Sequence, residues 1–496
     1  MLTRRELLRS AAWVALLPAG CARPRLRSPS VKVDVEVNDV HSRLNPTRVD
    51  RIERPGTPEE LRRLVRRAAA RGETLSLAGG RHAMGGQQFG SGTVLIDARG
   101  LGRILGFDRE RGHLEAEAGI EWPELIAGYL ARQEGSARPW GIAQKQTGAD
   151  RLTLGGSLAC NAHGRGLTFA PLVADLESVR LIDARGEWVS ASRGENGELF
   201  SLVVGGYGLF GMVAAATLRL VPRRKLERVV EVIELATLPR RFEERIAAGF
   251  LYGDFQFAID PGSDDFLRRG VFSCYRPVAD ETAMPEDQRE LADGDWQELL
   301  LLAHADKRAA FERYAAYYLS TSGQLYWSDN HQLAAYLDGY HDAIDRRLRA
   351  AVPGSEMISE LYVPRPELPA FMAAAADDLR AHGDEVIYGT IRLIERDGDS
   401  FLPWARQRYG CVIFNLHVTR SPEGIERAAG AFRRLIDLAL ARGGSYYLTY
   451  HRWATREQVL AAHPRLPEFL ERKLRYDPEE RFQSDWYRHM KRLVGA

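Results

Sequence analysis

Apolar positions recur along this chain with two periods, and the switches between them mark its elements. Leu61, Leu64, Val65 and Ala68 follow at helical spacing behind Thr57-Pro58-Glu59-Glu60 and stop at Gly72. Thr57 reads as the N-cap, Pro58 opens the first turn, Glu60 sits at the third position and Gly72 ends the helix. The period then shortens. Runs at 74–78, 94–97, 103–107 and 114–118 predict strands, with turn residues at 109–112 and a helix opening near Trp122-Pro123-Glu124. Alternating runs at 178–182 and 187–190 flank the turn Ala184-Arg185-Gly186, and 217–221 alternates until Pro222. This half is expected to be α+β with antiparallel pairs. Beyond about residue 226 the texture changes. Helical stretches at 295–317, 368–380 and 425–441 alternate with strand-like runs at 356–364, 387–394 and 412–418, which predicts a second domain. The tail from 444 carries a strand at 446–450 and then helical segments.

Composition changes this picture little. The chain of 496 residues has length for about three domain-sized units. Its 68 Lys+Arg against 67 Asp+Glu leave a net charge of +1, with 45% hydrophobic and 27% charged residues, so nothing points to nucleic acid or disorder. Cys21, Cys160, Cys274 and Cys411 lie far apart, and neither a metal site nor a disulfide framework is expected. Glycine does change the picture, because it clusters at 79–86, 155–166 and 205–211. Backbone N–H groups in such loops cradle an anion, and missing side chains let a flat group lie against the chain. Gly206, Gly208 and Gly211 match the G-x-G-x-x-G fingerprint, but that motif must open a helix and here a strand-like run follows. The three clusters read better as one wrapped phosphate and ring site.

On these blocks the chain resembles the vanillyl-alcohol oxidase/p-cresol methylhydroxylase (PCMH-type) FAD-linked oxidase superfamily, over most of residues 45–225 and the tail. The resemblance implies an α+β fold. A PCMH-type FAD-binding domain of two α/β subdomains would span 45–225, a cap domain with an antiparallel sheet flanked by helices 226–443, and a C-terminal return to the FAD domain 444–496. FAD is the implied cofactor. Gly79, Gly80, Arg81, His82, Ala83 and Gly85 resemble the pyrophosphate loop, with Ala83 in place of the usual Ser. His82 stands where many members tether FAD through an 8α-N-histidyl bond, which implies a covalent link. Thr153, Gly155, Gly156, Ser157, Cys160, His163 and Gly164 resemble the run past the flavin ring. His163-Gly164 recurs in aldonolactone oxidases and decaprenylphosphoryl-ribose oxidases. Cys160 reads as a small buried residue, since a second tether would come earlier, where this chain has Arg151. Val213 resembles the adenine-side strand.

An enzyme of this type moves a hydride from a donor carbon to flavin N5 while a nearby group accepts a proton. Side chains two apart on a strand share a face, which pairs Asn415 with His417, Thr390 with Arg392 and Glu360 with Tyr362. The candidate catalytic residues are therefore His417, Arg392 and Asn415 on the cap, with Tyr450 and His451 arriving from the return. A neutral His417 imidazole would be the base, and Arg392, always charged, would hold donor oxygens. Arg392 resembles the arginine of the Glu-x-Arg pair of aldonolactone and alditol oxidases, but Thr390 replaces the Glu. Tyr450 occupies the place of the ribose oxidases' catalytic Lys. The expected donor is a small CH–OH compound, a sugar, polyol or lactone, in the EC 1.1 class. An amine donor as in the cytokinin dehydrogenases, or a silent FAD-containing binding protein, stay open, as does oxygen or another species as electron acceptor.

The opening residues carry Arg4-Arg5 after Thr3, an apolar run at 11–17, and Ala19-Gly20 before Cys21. They resemble a twin-arginine export signal, which implies a periplasmic protein or one anchored outside the bacterial inner membrane. Cys21 sits at a lipobox position, with Pro18 where Leu is expected, and a lipid on Cys21 would be the one membrane contact. The apolar run is too short to span a bilayer, and residues 22–30 read as a tether.

Overall fold

The computed structural model describes residues 34–334, 337 and 339–495, so the export signal and tether expected at 1–30 lie outside the described residues. After a short antiparallel pair, Val35–Val37 with Thr47–Val49, come β1 (Arg51–Glu53), α1 (Pro58–Arg71), β2 (Leu75–Ala78) and β3 (Val94–Asp97). Helix α1 forms as its pattern requires. Thr57 Oγ1 accepts from the Glu60 N–H at 3.2 Å, Gly72 closes the helix at φ 65°, and Leu61, Val65 and Ala68 are buried. Strands β1 and β2 both pair with β3 between them, and all three run parallel. The expectation of antiparallel pairs is corrected here, because a crossover helix returns the chain in the same direction.

The next elements are β4 (Ile104–Asp108), β5 (His113–Glu117), α2 (Trp122–Ala131), α3 (Leu154–Ala159), β6 (Leu176–Ile182), β7 (Trp188–Ser192) and β8 (Met212–Arg219). Their strands form an antiparallel sheet in the order β7-β6-β8-β5-β4. The Gly205–Gly211 turn feeds strand β8 rather than a helix, which excludes the G-x-G-x-x-G reading.

The second half is built on β9 (Lys225–Glu234), β10 (Tyr252–Phe257), β11 (Arg269–Pro277), α4 (Asp293–Ala305), α5 (Lys307–Ser320), β12 (Leu325–Trp327), α6 (Tyr340–Leu348), β13 (Gly354–Pro364), α7 (Leu368–His382), β14 (Val386–Ile394), β15 (Tyr409–Thr419), α8 (Pro422–Leu440) and β16 (Ser445–Tyr446). Their strands make one eight-stranded antiparallel sheet, β12-β9-β11-β10-β14-β15-β13-β16. Helices α7 and α8 cover one face through a core that includes Phe371, Met372, Phe432 and Leu435, while α4 and α5 pack over the other. The helix expected at 295–317 is two helices. Asp306 breaks it and caps α5 by accepting from the Ala309 N–H at 3.0 Å.

The strand expected at 446–450 pairs only through Ser445 and Tyr446. The chain then returns to the first half: Thr449 O accepts from Met84 N–H at 3.1 Å, Gln87 Nε2 donates to Leu448 O at 2.6 Å, and Phe482 bridges Leu75. Among the described residues no helix is long and apolar enough to cross a membrane.

Candidate functional site

A cavity of about 1290 Å³ separates the glycine loops from the polar face of the eight-stranded sheet. Two loops approach closely on its first wall. A Cβ on Gly79 would lie 2.1 Å from Thr153 Oγ1, and one on Gly80 2.2 Å from Arg151 O, so only glycine lets these loops meet. Gly79, Gly80, Arg81, His82, Ala83, Thr153, Gly155, Gly156, Cys160 and Val213 line the cavity. Gly85, Ser157, His163 and Gly164 do not, and their expected cofactor contacts are corrected to a layer behind it. Gly85 lies against Tyr450 O, Ser157 Oγ accepts from Trp122 Nε1 at 3.0 Å, Gly164 abuts the Lys145 backbone, and His163 turns to Glu360.

Two polar groups on this wall are left over. Arg81 Nε and Gln88 Oε1 are buried, line the cavity and have no hydrogen-bond partner among the described residues. His82 Nδ1 lies 2.9 Å from His41 Nε2. Burial, and then His41, pushes His82 down to about 3; burial and then His341 push His41 to about 4. Both imidazoles are therefore neutral near neutral pH.

Strand alternation builds the opposite wall. Tyr388, Thr390 and Arg392 of β14 line the cavity, and across the β15 register Ile413 stands opposite Thr390 and Asn415 opposite Tyr388. Arg392 is 5% exposed, and its Nε and Nη1 have no partner among the described residues; Thr390 Oγ1 and Asn415 Oδ1 are equally unpartnered. A buried polar group left without a partner costs about 1–3 kcal/mol, so three on one face mark a surface shaped for something polar. Asn415 Nδ2 donates to Glu356, which also accepts from Tyr340 and lies 3.3 Å from His304 Nε2.

Glu360, absent from the expected site, organises the base of the cavity. Tyr450, on the cavity wall, donates its O–H to Glu360 Oε2 at 2.9 Å, Tyr362 donates to Oε1 at 2.5 Å, and His163 Nε2 lies 2.7 Å from Oε1. Burial alone would raise the Glu360 carboxyl, but His163 and the two phenols hold it below its ordinary range. Burial, reinforced by Glu360, pushes Tyr450 well above an ordinary phenol. The two-residue spacing of Glu360 and Tyr362 was the available signal for this cluster.

Two expected catalytic residues are displaced. His417 shares the Asn415 face but falls a row beyond the cavity, opposite Glu356, where its ring meets His304 of α4 at 5.3 Å. His451 points away from Tyr450 and stacks on Trp453 at 4.0 Å, walled by Phe432. Neither lines the cavity, so neither is placed to act as the base.

Residues 49–192 match the family model described as FAD binding domain. The L-gulono-1,4-lactone dehydrogenase of Mycobacterium tuberculosis is 30% identical over 220 residues, covering 44% of this chain and 48% of that protein. Cytokinin dehydrogenase 7 of Oryza sativa subsp. japonica is 28% identical over 221 residues, covering 42% of this chain and 41% of that protein. The uncharacterized oxidoreductase ORF5 in the fasciation locus of Rhodococcoides fascians is 29% identical over 171 residues, 34% of this chain and 36% of its own. The chain thus spans at most about half the length of these curated relatives.

Proposed function

Because the chain belongs to the vanillyl-alcohol oxidase/p-cresol methylhydroxylase (PCMH-type) FAD-linked oxidase superfamily, we propose that it oxidises a CH–OH donor held between its FAD and the polar cap face. The residues fit the cofactor. Arg81 offers an unpartnered Nε on the glycine loop, the loops present backbone with no side chain in the way, and Val213 bounds the cavity on the β8 side. The cavity of about 1290 Å³ exceeds the roughly 300–1000 Å³ of a single-ligand pocket, as a cofactor with a donor beside it requires.

When bound, the flavin supplies the acceptor for a hydride from the donor carbon. The chain's own task is to aim that carbon and take the hydroxyl proton. Arg392 N–H groups and the Thr390 hydroxyl hold donor oxygens. Tyr450 Oη accepts the hydroxyl proton as its own proton passes to Glu360 Oε2, a step its existing hydrogen bond prepares. Tyr450, raised by burial, keeps its proton between turnovers and works as a relay rather than a phenolate. Glu360, held low by His163 and the two phenols, waits ionised.

The observation that carries this reading is the Tyr450–Glu360 hydrogen bond at the edge of a cavity with an unpartnered arginine. A sugar, polyol or lactone donor is supported by the likeness to the lactone dehydrogenase, and an amine donor by the likeness to the cytokinin dehydrogenases. The neutral, buried His82 is the tether in this reading. The test is anaerobic mixing of the yellow holoenzyme with a panel of polyols, sugars, lactones and amines. Bleaching near 450 nm, roughly where oxidised flavins absorb, is expected with a hydroxyl donor. Bleaching by amines alone would overturn the donor class, and flavin released on acid precipitation would remove the tether.

A further inference from the structure

Three guanidinium groups reach the cap side of the cavity, the buried ones of Arg228 and Arg392 and the half-buried one of Arg165. Their carboxylate supply is thin. Asp254, 7% exposed, lies 3.7 Å from Arg165 Nη1. Arg228 instead donates from Nε and Nη2 to Tyr275 Oη at 3.0 and 2.7 Å and from Nη1 to Thr321 Oγ1 at 2.9 Å. Arg165 Nε has no partner among the described residues, and neither have Nε and Nη1 of Arg392. Continuing the β10–β14 register past Phe255–Ile391 sets Asp254 across from Arg392, outside ion-pair distance, while Glu360 is engaged by His163, Tyr362 and Tyr450, and Glu356 by Tyr340, Asn415 and His304. Thr390, on the same face and two residues before Arg392, is neutral and adds a hydroxyl with no partner.

A buried cation is stable when something pairs with it, and a guanidinium presents parallel N–H groups that match an oxyanion. We propose that this face is an oxyanion site and that the natural donor is itself an anion, a hydroxy compound bearing a carboxylate or phosphate group that the Arg392 guanidinium receives, flanked by Thr390. Arg165 supplies a second positive charge on the same cavity. The proposal rests on the reading of this cavity as the donor site. It narrows that reading, because a neutral polyol or lactone would leave the Arg392 N–H groups facing only neutral oxygens.

The test uses the flavin-loaded enzyme, in which any claim of the cofactor on Arg392 is already met. Oxalate and inorganic phosphate, neither oxidisable here, are titrated in while the flavin absorbance spectrum is followed at low and high salt. Saturable perturbation is expected, weaker at high salt, and roughly 10- to 100-fold weaker in Arg392→Met, with Arg392→Lys between them. Among the described residues Arg392 has no ion-pair partner to lose, so the flavin content of both variants should match wild type. Matched donors then separate the two oxyanions: an aldonate against its lactone, and a sugar phosphate against its sugar, with the lower KM expected for the charged member. No saturable perturbation by either anion, or equal binding in Arg392→Met, would overturn the proposal. Turnover of the neutral members at equal or lower KM would overturn it too, while leaving the oxidoreductase reading in place. Anion binding with no turnover of any donor would support the oxyanion site and remove the oxidation reading.

Discussion

Glu360 accepts from two phenols and lies within hydrogen-bond distance of an imidazole, and one of those phenols borders the cavity. Its Oε2 gives the Tyr450 proton a place to go, as Glu356 does for the proton of Tyr340 on the same cavity. Asp175 shows the opposite setting. It is half-buried with Gln144 Nε2 at 3.0 Å, and loss of hydration pushes its carboxyl up to about 7. The folded chain therefore keeps a proton that the unfolded chain loses near pH 3.9, and the stability this group contributes falls as pH rises from about 4 to about 7. Thermal melts of Asp175→Asn should show a flatter dependence across that window than wild type, and an unchanged slope would assign the dependence to other groups. The polar candidates were legible at this scale only in part. Asn415, Arg392 and Tyr450 line the cavity, but two-residue spacing says which face a side chain takes and not how far that face extends, so His417 passed for a neighbour of the donor. Tyr450 and His451, adjacent in sequence, project in opposite directions.

Periodicity reads an element best where one face is wet, and α1 and α8 match their patterns closely for that reason. Strand β11 is buried from Gly270 to Tyr275 without alternation, and β9 carries the buried Arg228 where its pattern calls for an apolar residue, so half the cap sheet stayed hidden. The break at Asp306 was hidden too, because apolar residues continue through 299–303 and 310–315 on both sides of it. Only the cap itself marks it, Asp306 accepting from Ala309 N–H. Asp306→Ala should cost about 0.5–2 kcal/mol, read as a lower denaturant midpoint with an unchanged slope. A midpoint equal to wild type would mean that the α4–α5 corner is held by packing alone.

At the scale of the whole molecule the site is a convergence of three distant stretches. The glycine loops come from the first half of the chain, the polar face from the eight-stranded sheet, and Tyr450 from the return that Met84 and Gln87 hold in place. The loops were legible because their chemistry is contiguous and the FAD binding domain spans 49–192. The Tyr450–Glu360 pair was not, since its partners stand 90 residues apart and meet only when β13 and the return fold together. The relay is tested most directly by anaerobic stopped-flow reduction of wild type and Tyr450→Phe with the donor found in the panel. Tyr450→Phe should keep its flavin and spectrum yet reduce about 10²- to 10⁴-fold more slowly, the range of a lost general base. Reduction at the wild-type rate would contradict the account and take the donor's proton elsewhere.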